Sequence, residues 1–331
     1  MRGYKVQETS IESKQDLDAS ALSLTCTHVL LGSAQEYPTD QAVLGCTVVS
    51  LCRNYVGDDQ HSGDLIIASL ELGGTVRIWS FTEDMDDKLQ KDLQEPKQVR
   101  ALFEFQVENA TGTTLALCPP AQAGVGDVGV AVGCLDGTVA IVATGLATPK
   151  AKREAKEAGT VLDTWGSRGS AVPLSLSWNP VAAHTLTVGR QDGVVDILTV
   201  TKKGQHRLTN HSSPVRAVAF SDDGNLLIAG SDEQLLCIWD VSRKTPTLVH
   251  HILQAHKSWL LDIQTLPDSR RFVTLGADRT LHVWNIGQLY QPLHSFQMDH
   301  SVYTVQRGPA DLPRLVTGSD TGWIQVFSLE S

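Results

Sequence analysis

ASLELGGTVRIW (68–79), AVGCLDGTVAIV (131–142), TVGRQDGVVDIL (187–198), IAGSDEQLLCIW (228–239), VTLGADRTLHVW (273–284) and VTGSDTGWIQVF (316–327) are six spellings of one twelve-residue phrase. Each copy is a short β-rich run, a Gly/Asp-type tight turn and a second run of alternating apolar residues, the pattern of a hairpin. The large apolar residues that close the copies are Trp79, Val142, Leu198, Trp239, Trp284 and Phe327, at intervals of 63, 56, 41, 45 and 43 residues. The last three intervals fall at the period of roughly 40 to 45 residues expected for a four-stranded blade, and the first two are that period plus an insertion. Units of this size cannot bury their faces alone, so they are expected to stack and close into a ring. The expected fold class is therefore all-β, a β-propeller forming a single domain over residues 1–331.

Around each phrase the remaining strands can be placed. The innermost read TVVSL (47–51), TTLALCP (113–119), PLSLSWNP (173–180), VRAVAF (215–220), LLDIQTL (260–266) and VYTVQ (302–306), and their near-continuous apolar character suits the crowded centre of a ring. The outer strands are more polar, as in LFEF (102–105), VLDTW (161–165) and LVHHILQ (248–254). Two insertions, 80–98 and 147–160, fall between third and outer strands and are expected to emerge from one rim as solvated loops or a short helix, a docking element being the alternative. Residues 1–46 lack the turn and Trp signature. They are expected to supply a degenerate first blade, built around ALSLTC and THVLLGS, and the outer strand of the last blade through YKVQET (4–9), giving seven blades. A six-bladed or incompletely closed ring is the alternative.

GSDEQLLCIWDV, ending at Val241, and GADRTLHVWNI, ending at Ile286, resemble the WD-repeat family. In that family a His before the inner strand, a Ser or Thr on the second strand, an Asp in the turn and a Trp on the third strand form a buried hydrogen-bonded chain. The resemblance assigns those parts to His256, Thr274, Asp278 and Trp284. The neighbouring repeats keep fragments: His211, Glu233 and Trp239 in one, His300 and Thr317 in the next. Asp136 and Asp192 hold the turn position in earlier copies, whereas Gly73 and Thr321 depart from it. A carboxylate buried in a turn is costly unless each lone pair has a donor, which is the physical reason for such a chain. His256, Asp278 and Thr274 superficially resemble a catalytic triad, but a nucleophile must reach substrate and these positions fall in a blade interior. No catalytic residue is assigned.

Composition narrows the function classes. A formal net charge of −10 argues against a phosphate backbone as the main partner, and no basic stripe interleaved with aromatics is present, so no direct nucleic-acid contact is expected. Cys26, Cys46, Cys52, Cys118, Cys134 and Cys237 show no CxxC spacing and read as reduced core thiols, with neither metal nor cofactor expected. Asn109 and Asn210 match a glycosylation sequon, but MRGYKVQETSIESKQ has no apolar signal core and no apolar run reaches the roughly 18 residues of a membrane span. A cytoplasmic or nuclear setting, with no membrane contact, is expected. GVGDVG (124–129) has the spelling of a dinucleotide loop, yet it leads into a hairpin rather than a helix and is read as an inter-strand loop.

The C-terminal half carries a more particular likeness. HSSPVRAVAFSDDGNLLIAGSDEQLLCIWDV (211–241), HKSWLLDIQTLPDSRRFVTLGADRTLHVWNI (256–286) and DHSVYTVQ (299–306) resemble the WD-repeat subunit of the superkiller complex. That resemblance implies a scaffold joined to a tetratricopeptide protein and an RNA helicase that feeds messenger RNA to the cytoplasmic exosome for 3′ to 5′ decay. It also implies a loop face that grips a peptide bearing Gln-Arg and a later apolar residue. Relatives implied by it include subunits of a nuclear transcription-elongation complex; a WD-repeat adaptor of a chromatin or ubiquitin-ligase complex is the alternative. Trp259, Tyr303 and Arg216 lie at the mouths of inner strands and are the expected partner anchors, since rigidly based aromatics and Arg lose little entropy on binding. Arg190, Arg279 and Arg168 are expected on the rim. Trp178 and Trp239 are assigned to the core, and Trp323 is left open between core and surface.

Overall fold

The computed structural model describes residues 6–10, 28–31, 48–54, 64–70, 73–81, 97–100, 103–107, 111–118, 127–147, 157–182, 184–307, 314–320 and 324–328. Strands β1 (Val6–Ser10) and β2 (His28–Leu31) precede a meander of β3 (Val48–Asn54), β4 (Asp64–Leu70) and β5 (Thr75–Phe81). After β6 (Lys97–Arg100), β7 (Phe103–Gln106) completes a sheet of order β3-β4-β5-β7. The next three sheets are built the same way. They are β8 (Gly112–Leu117), β9 (Asp127–Cys134), β10 (Val139–Ala147) and β11 (Val161–Trp165); then β12 (Pro173–Trp178), β13 (Thr185–Arg190), β14 (Val195–Thr199) and β15 (Gly204–Leu208); then β16 (Val215–Phe220), β17 (Leu226–Ser231), β18 (Leu236–Asp240) and β19 (Thr247–Ile252). A fifth comprises β20 (Leu260–Thr265), β21 (Arg271–Gly276), β22 (Thr280–Asn285) and β23 (His294–Gln297). The last joins β24 (Val302–Arg307), β25 (Arg314–Ser319) and β26 (Ile324–Ser328) to β1.

Six four-stranded sheets are thus seen among the described residues, with consecutive strands antiparallel. The exception is β1, which lies parallel to β26 with Val6 opposite Ile324. Of residues 1–46 only β1 and β2 are described; β2 pairs in parallel with β6, His28 opposite Lys97, and the rest of the expected first blade lies outside the described residues. The segment 80–98 was expected as an inserted loop or short helix; β5 runs to Phe81 and β6 starts at Lys97, so both its ends are strand. Likewise β10 reaches Ala147 and Glu157–Thr160 form the turn before β11, while 82–96 and 148–156 lie outside the described residues. So do Gly124–Gly126 of the glycine-rich loop, and Thr321 and Trp323. None of the described helices is long and apolar enough to cross a membrane.

The chain divides into two compact units, one of Met1–Cys26, Gly193–Val195 and His206–Ser331, the other of Thr27–Asp192 and Asp196–Gln205. In each, an apolar core is shared between consecutive sheets, as expected of elements that cannot bury a face alone. In the second unit Leu70, Ile78, Leu115 and Val132 join β3–β7 to β8–β11, and Ala131, Ile141, Leu186 and Leu198 join β8–β11 to β12–β15. In the first, Ile228, Leu236, Leu260 and Phe272 form one core, and Leu275, Leu281, Val305 and Leu315 another. Each such side chain contributes about 1.5–3 kcal/mol by leaving water. Trp178 and Trp239 are core residues as expected, 8 % and 1 % exposed, the former donating its indole N–H to the Ala116 carbonyl at 3.1 Å. Cys118, Cys134 and Cys237 are buried thiols outside any disulfide.

Polar ties reinforce the packing within the first unit. The Thr265 hydroxyl donates to the Phe220 carbonyl (2.8 Å), and Arg307 Nη1 meets Asp222 Oδ2 at 2.6 Å. From β20, Asp262 accepts the Val305 N–H (2.8 Å) and the Thr304 hydroxyl (2.9 Å) of β24. Burial pushes its carboxyl up to about 6, outweighing those hydrogen bonds.

Candidate functional site

The loop that enters each inner strand meets the β-turn joining the second and third strands, and the backbone fixes this meeting. Ala277 N–H donates to the Trp259 carbonyl (2.8 Å), and Met298 N–H to the Arg279 carbonyl (2.8 Å). In β16–β19 the matching bonds run from Asp232 to Pro214 and from Ala255 to Gln234. Each turn needs a residue in the left-handed region. Gly137 (φ 93°) and Gly193 (φ 86°) fill it in two repeats, and a Cβ there would collide with the Ser170 or His211 carbonyl. Gln234 (φ 67°) and Arg279 (φ 62°) take the same place with side chains, at a cost of about 1 kcal/mol each.

Beneath this surface in β20–β23 lies the expected polar chain. Trp284 Nε1 donates to Thr274 Oγ1 (2.8 Å), and Thr274 Oγ1 is 2.7 Å from His256 Nε2. The ionised Asp278 carboxylate can only accept, so the His256 proton sits on Nδ1, 3.3 Å from Asp278 Oδ1 and 3.0 Å from Thr280 Oγ1, and the neutral ring accepts the Thr274 hydroxyl at Nε2. Asp278 also accepts from Lys257 N (2.6 Å), Thr280 N (3.1 Å) and Thr280 Oγ1 (2.6 Å), and these donors hold its carboxyl below the usual range although burial opposes them. His282 stacks on His256 with ring centres 4.4 Å apart. Burial above all, then His282, pushes His256 down to about 4, so the imidazole is neutral. Thr274 is fully buried with its hydroxyl committed on both sides, which removes it as a nucleophile. Among the described residues no three His, Cys, Asp or Glu side chains are grouped to hold a metal ion.

Above the chain stand the residues expected as partner anchors. Trp259 is 53 % and Tyr303 58 % exposed, both at the N-terminal ends of neighbouring inner strands. The Arg216 guanidinium lies 5.1 Å from the Trp259 ring centre, held there by a two-pronged pair with Asp232 (2.5 and 2.9 Å). One face of the indole is thus occupied by a clamped cation, an arrangement that fixes its orientation. Arg279 is exposed on the adjoining turn.

Arg190 requires a correction. Expected on the rim, it is 3 % exposed; its Nε meets the fully buried Asp196 at 2.6 Å and its Nη1 donates to the Gly137 (3.0 Å) and Ala171 (2.8 Å) carbonyls. A guanidinium so buried needs its donors matched inside the protein, and Nε and Nη1 are committed there rather than offered to a partner. Arg168, by contrast, is 75 % exposed, 3.7 Å from Asp136. Sequence reasoning missed Asp232 and Gln234. The turn position of Gln234, aligned with glycine in four other copies, was the available signal; nothing in the spelling marked Asp232 as the clamp.

Residues 202–240 and 247–285 match the WD40 family profile, described as WD domain, G-beta repeat. Among curated proteins the chain is 32 % identical over 134 residues to Protein HIR1 of Kluyveromyces lactis, covering 36 % of this chain and 15 % of that protein. It is 28 % identical over 164 residues to the p21-activated protein kinase-interacting protein 1-like of Gallus gallus (46 % and 43 %), and 25 % identical over 158 residues to WD repeat-containing protein 90 of Mus musculus (48 % and 8 %). The chain therefore spans less than half the length of each of these relatives. A chain of the crystal structure of the mitotic checkpoint complex has a similar fold, with a TM-score of 0.60 at 18 % identity, covering 91 % of this chain and 84 % of that one. The fold is that of a WD40-type β-propeller.

Proposed function

We propose that this WD40-repeat protein is a non-catalytic scaffold that holds a partner peptide on the loop face around Trp259, Tyr303 and Arg216, with Arg279 and Gln234 at its margin. The observation that carries the proposal is the pair of large aromatics more than half exposed on rigid strand ends. Such residues are costly in water without a partner and are typical anchors with one. In its finer form the proposal places the chain as the WD-repeat subunit of a superkiller-type complex. It would then support exosome-mediated messenger RNA decay beside a tetratricopeptide protein and a helicase, in the cytoplasm with a nuclear pool. The likeness of 211–241, 256–286 and 299–306 to that subunit supports this form. The second reading, an adaptor of another complex, draws on the similarity to Protein HIR1 and to a kinase-interacting protein.

Trp259→Ala combined with Tyr303→Ala is expected to abolish partner recovery in affinity purification from native extract while the melting curve stays within about 0.5 kcal/mol of the parent, as for surface changes. Undiminished recovery would remove this face as the interface. Recovery of a helicase with a tetratricopeptide protein supports the finer form, and recovery of chromatin or ubiquitin-ligase subunits the adaptor reading.

A further inference from the structure

The outer strand of each blade has one free edge, and a free edge templates another chain unless charge, shortness or cover prevents it. Of the five outer strands whose side chains are described, four carry such a device. Glu104 lies on β7, Asp163 on β11 and Arg207 on β15, while β23 is four residues long. β19 has neither charge nor brevity: it is six residues, TLVHHI, and no Asp, Glu, Lys or Arg occurs from Thr245 to Ala255. Its first five residues are all exposed, Leu248 at 41 % and Val249 at 46 %, and Leu253 just beyond is 71 % exposed. A strand covered on one face would alternate between buried and exposed. Five exposed residues in a row leave both faces open. The register against β18 slips between Ile238 and Trp239, leaving Val249 as the extra residue of a bulge. β11 has a comparable slip opposite Ile141 and Val142 yet keeps Asp163 as well.

We propose that β19 is a docking edge on which an extended, uncharged and apolar segment of a partner protein adds as a fifth strand. Three features of the strand and the chain choose this occupant. Outward backbone donors and acceptors of a strand are matched by another extended backbone, so a strand fits and a helix does not. With no formal charge along the edge, a charged residue in the incoming segment would lack a counter-charge, while Leu248, Val249 and Leu253 offer apolar surface. A second copy would bring another net charge of −10 against the first, which disfavours self-pairing. This edge is separate from the loop face around Trp259 and does not depend on that reading.

The test is hydrogen–deuterium exchange on the full chain with a synthetic peptide, acetyl-Lys-Lys-Thr-Val-Thr-Val-Thr-Val-amide, whose lysines serve solubility outside the pairing residues. Exchange across residues 247–253 is expected to slow about tenfold at saturating peptide, as newly bonded amides do. The same peptide N-methylated at its valines should give no protection. Val249→Lys should abolish protection with an unchanged melting curve, and Trp259→Ala/Tyr303→Ala should retain it. Unchanged exchange at saturation, equal protection by the methylated peptide, or protection surviving in Val249→Lys would overturn the proposal. So would protection that grows with protein concentration alone, which would assign the edge to a second copy.

Discussion

Blades β16–β19 and β20–β23 share strand order, a turn with a left-handed residue and matching backbone hydrogen bonds between turn and loop, yet only the second closes its polar chain. Ala229 stands where Thr274 does, so no hydroxyl bridges His211 and Trp239. Trp239 Nε1 instead reaches Asn210 Oδ1 at 3.3 Å, and neither His211 nitrogen makes a hydrogen bond, although Nδ1 lies 3.4 Å from Glu233. Glu233 is engaged with the Ser212 backbone and hydroxyl and with Ser231. The difference turns on a neighbouring position. Gly276 leaves room for the His256–Asp278 contact, since a Cβ there would collide with His256 Nδ1 and sit 2.5 Å from Asp278 Oδ1. Ser231 fills that position in β16–β19, and Arg190 fills it in β12–β15, where Asp196 replaces His282. One backbone thus supports three internal wirings, chosen by whichever side chain occupies the residue two before the turn.

The largest effect is expected where the wiring is ionic. Arg190→Met should destabilise by about 3–5 kcal/mol, because it removes the cationic partner of the fully buried Asp196 carboxylate, whose other oxygen accepts from Gln205 (2.9 Å); adding Asp196→Leu should restore most of the loss in urea titrations. A single mutant as stable as the parent would show the pair to be dispensable. Asp278→Ala should cost about 2–4 kcal/mol by stranding the Lys257, Thr280 and His256 donors, whereas Glu233→Ala, in the gapped blade, should cost less. Equal costs would erase the distinction between the blades.

Acid should act on the same chain. His256, with a folded pKa of about 4 against an unfolded value near 6.5, binds its proton more tightly when unfolded. Its contribution is therefore full above about pH 6.5 and is lost as pH falls toward 4, amounting to about 2 kcal/mol by pH 5. His211 and His282, also lowered by burial, act in the same direction. Asp262 opposes them: its pKa, raised to about 6, makes the folded state bind the proton more tightly, so acidification from pH 7 to 5 gains about 1 kcal/mol. Asp262→Asn should thus steepen the loss of thermal stability between pH 7 and 5, and an unchanged slope would remove Asp262 from the account. The smallest effect expected is a gain: Ala229→Ser, supplying a hydroxyl between His211 and Trp239, should stabilise by about 1 kcal/mol in the same titration.

The repeated phrase disclosed its own geometry because hairpins are local. Alternating apolar residues and a turn residue act over a dozen positions, so β16, β20 and β24 begin where the inner runs begin. The chain of His256, Thr274, Asp278 and Trp284 was legible through the resemblance to the WD-repeat family, which assigns the last three to places in the phrase and the first to the loop before the inner strand. Arg190 was misjudged because an Arg two residues before a turn carries no local sign of burial. Its counter-ion Asp196 is six residues away across the hairpin, and its carbonyl partners Gly137 and Ala171 lie 53 and 19 residues away. The place of Trp259 at the mouth of an inner strand was legible, but the clamp that orients it, Arg216 with Asp232, comes from the preceding blade.

By itself, then, the order of residues determined strand, turn and repeat, since these depend on periodicity and on which residues tolerate a left-handed turn. Tertiary packing decided which polar side chains are buried with partners and which are left facing solvent, as with Arg190 against Arg279 or β19 against β11. Burial and pairing are set by groups distant along the chain that only the folded sheets bring within hydrogen-bonding reach.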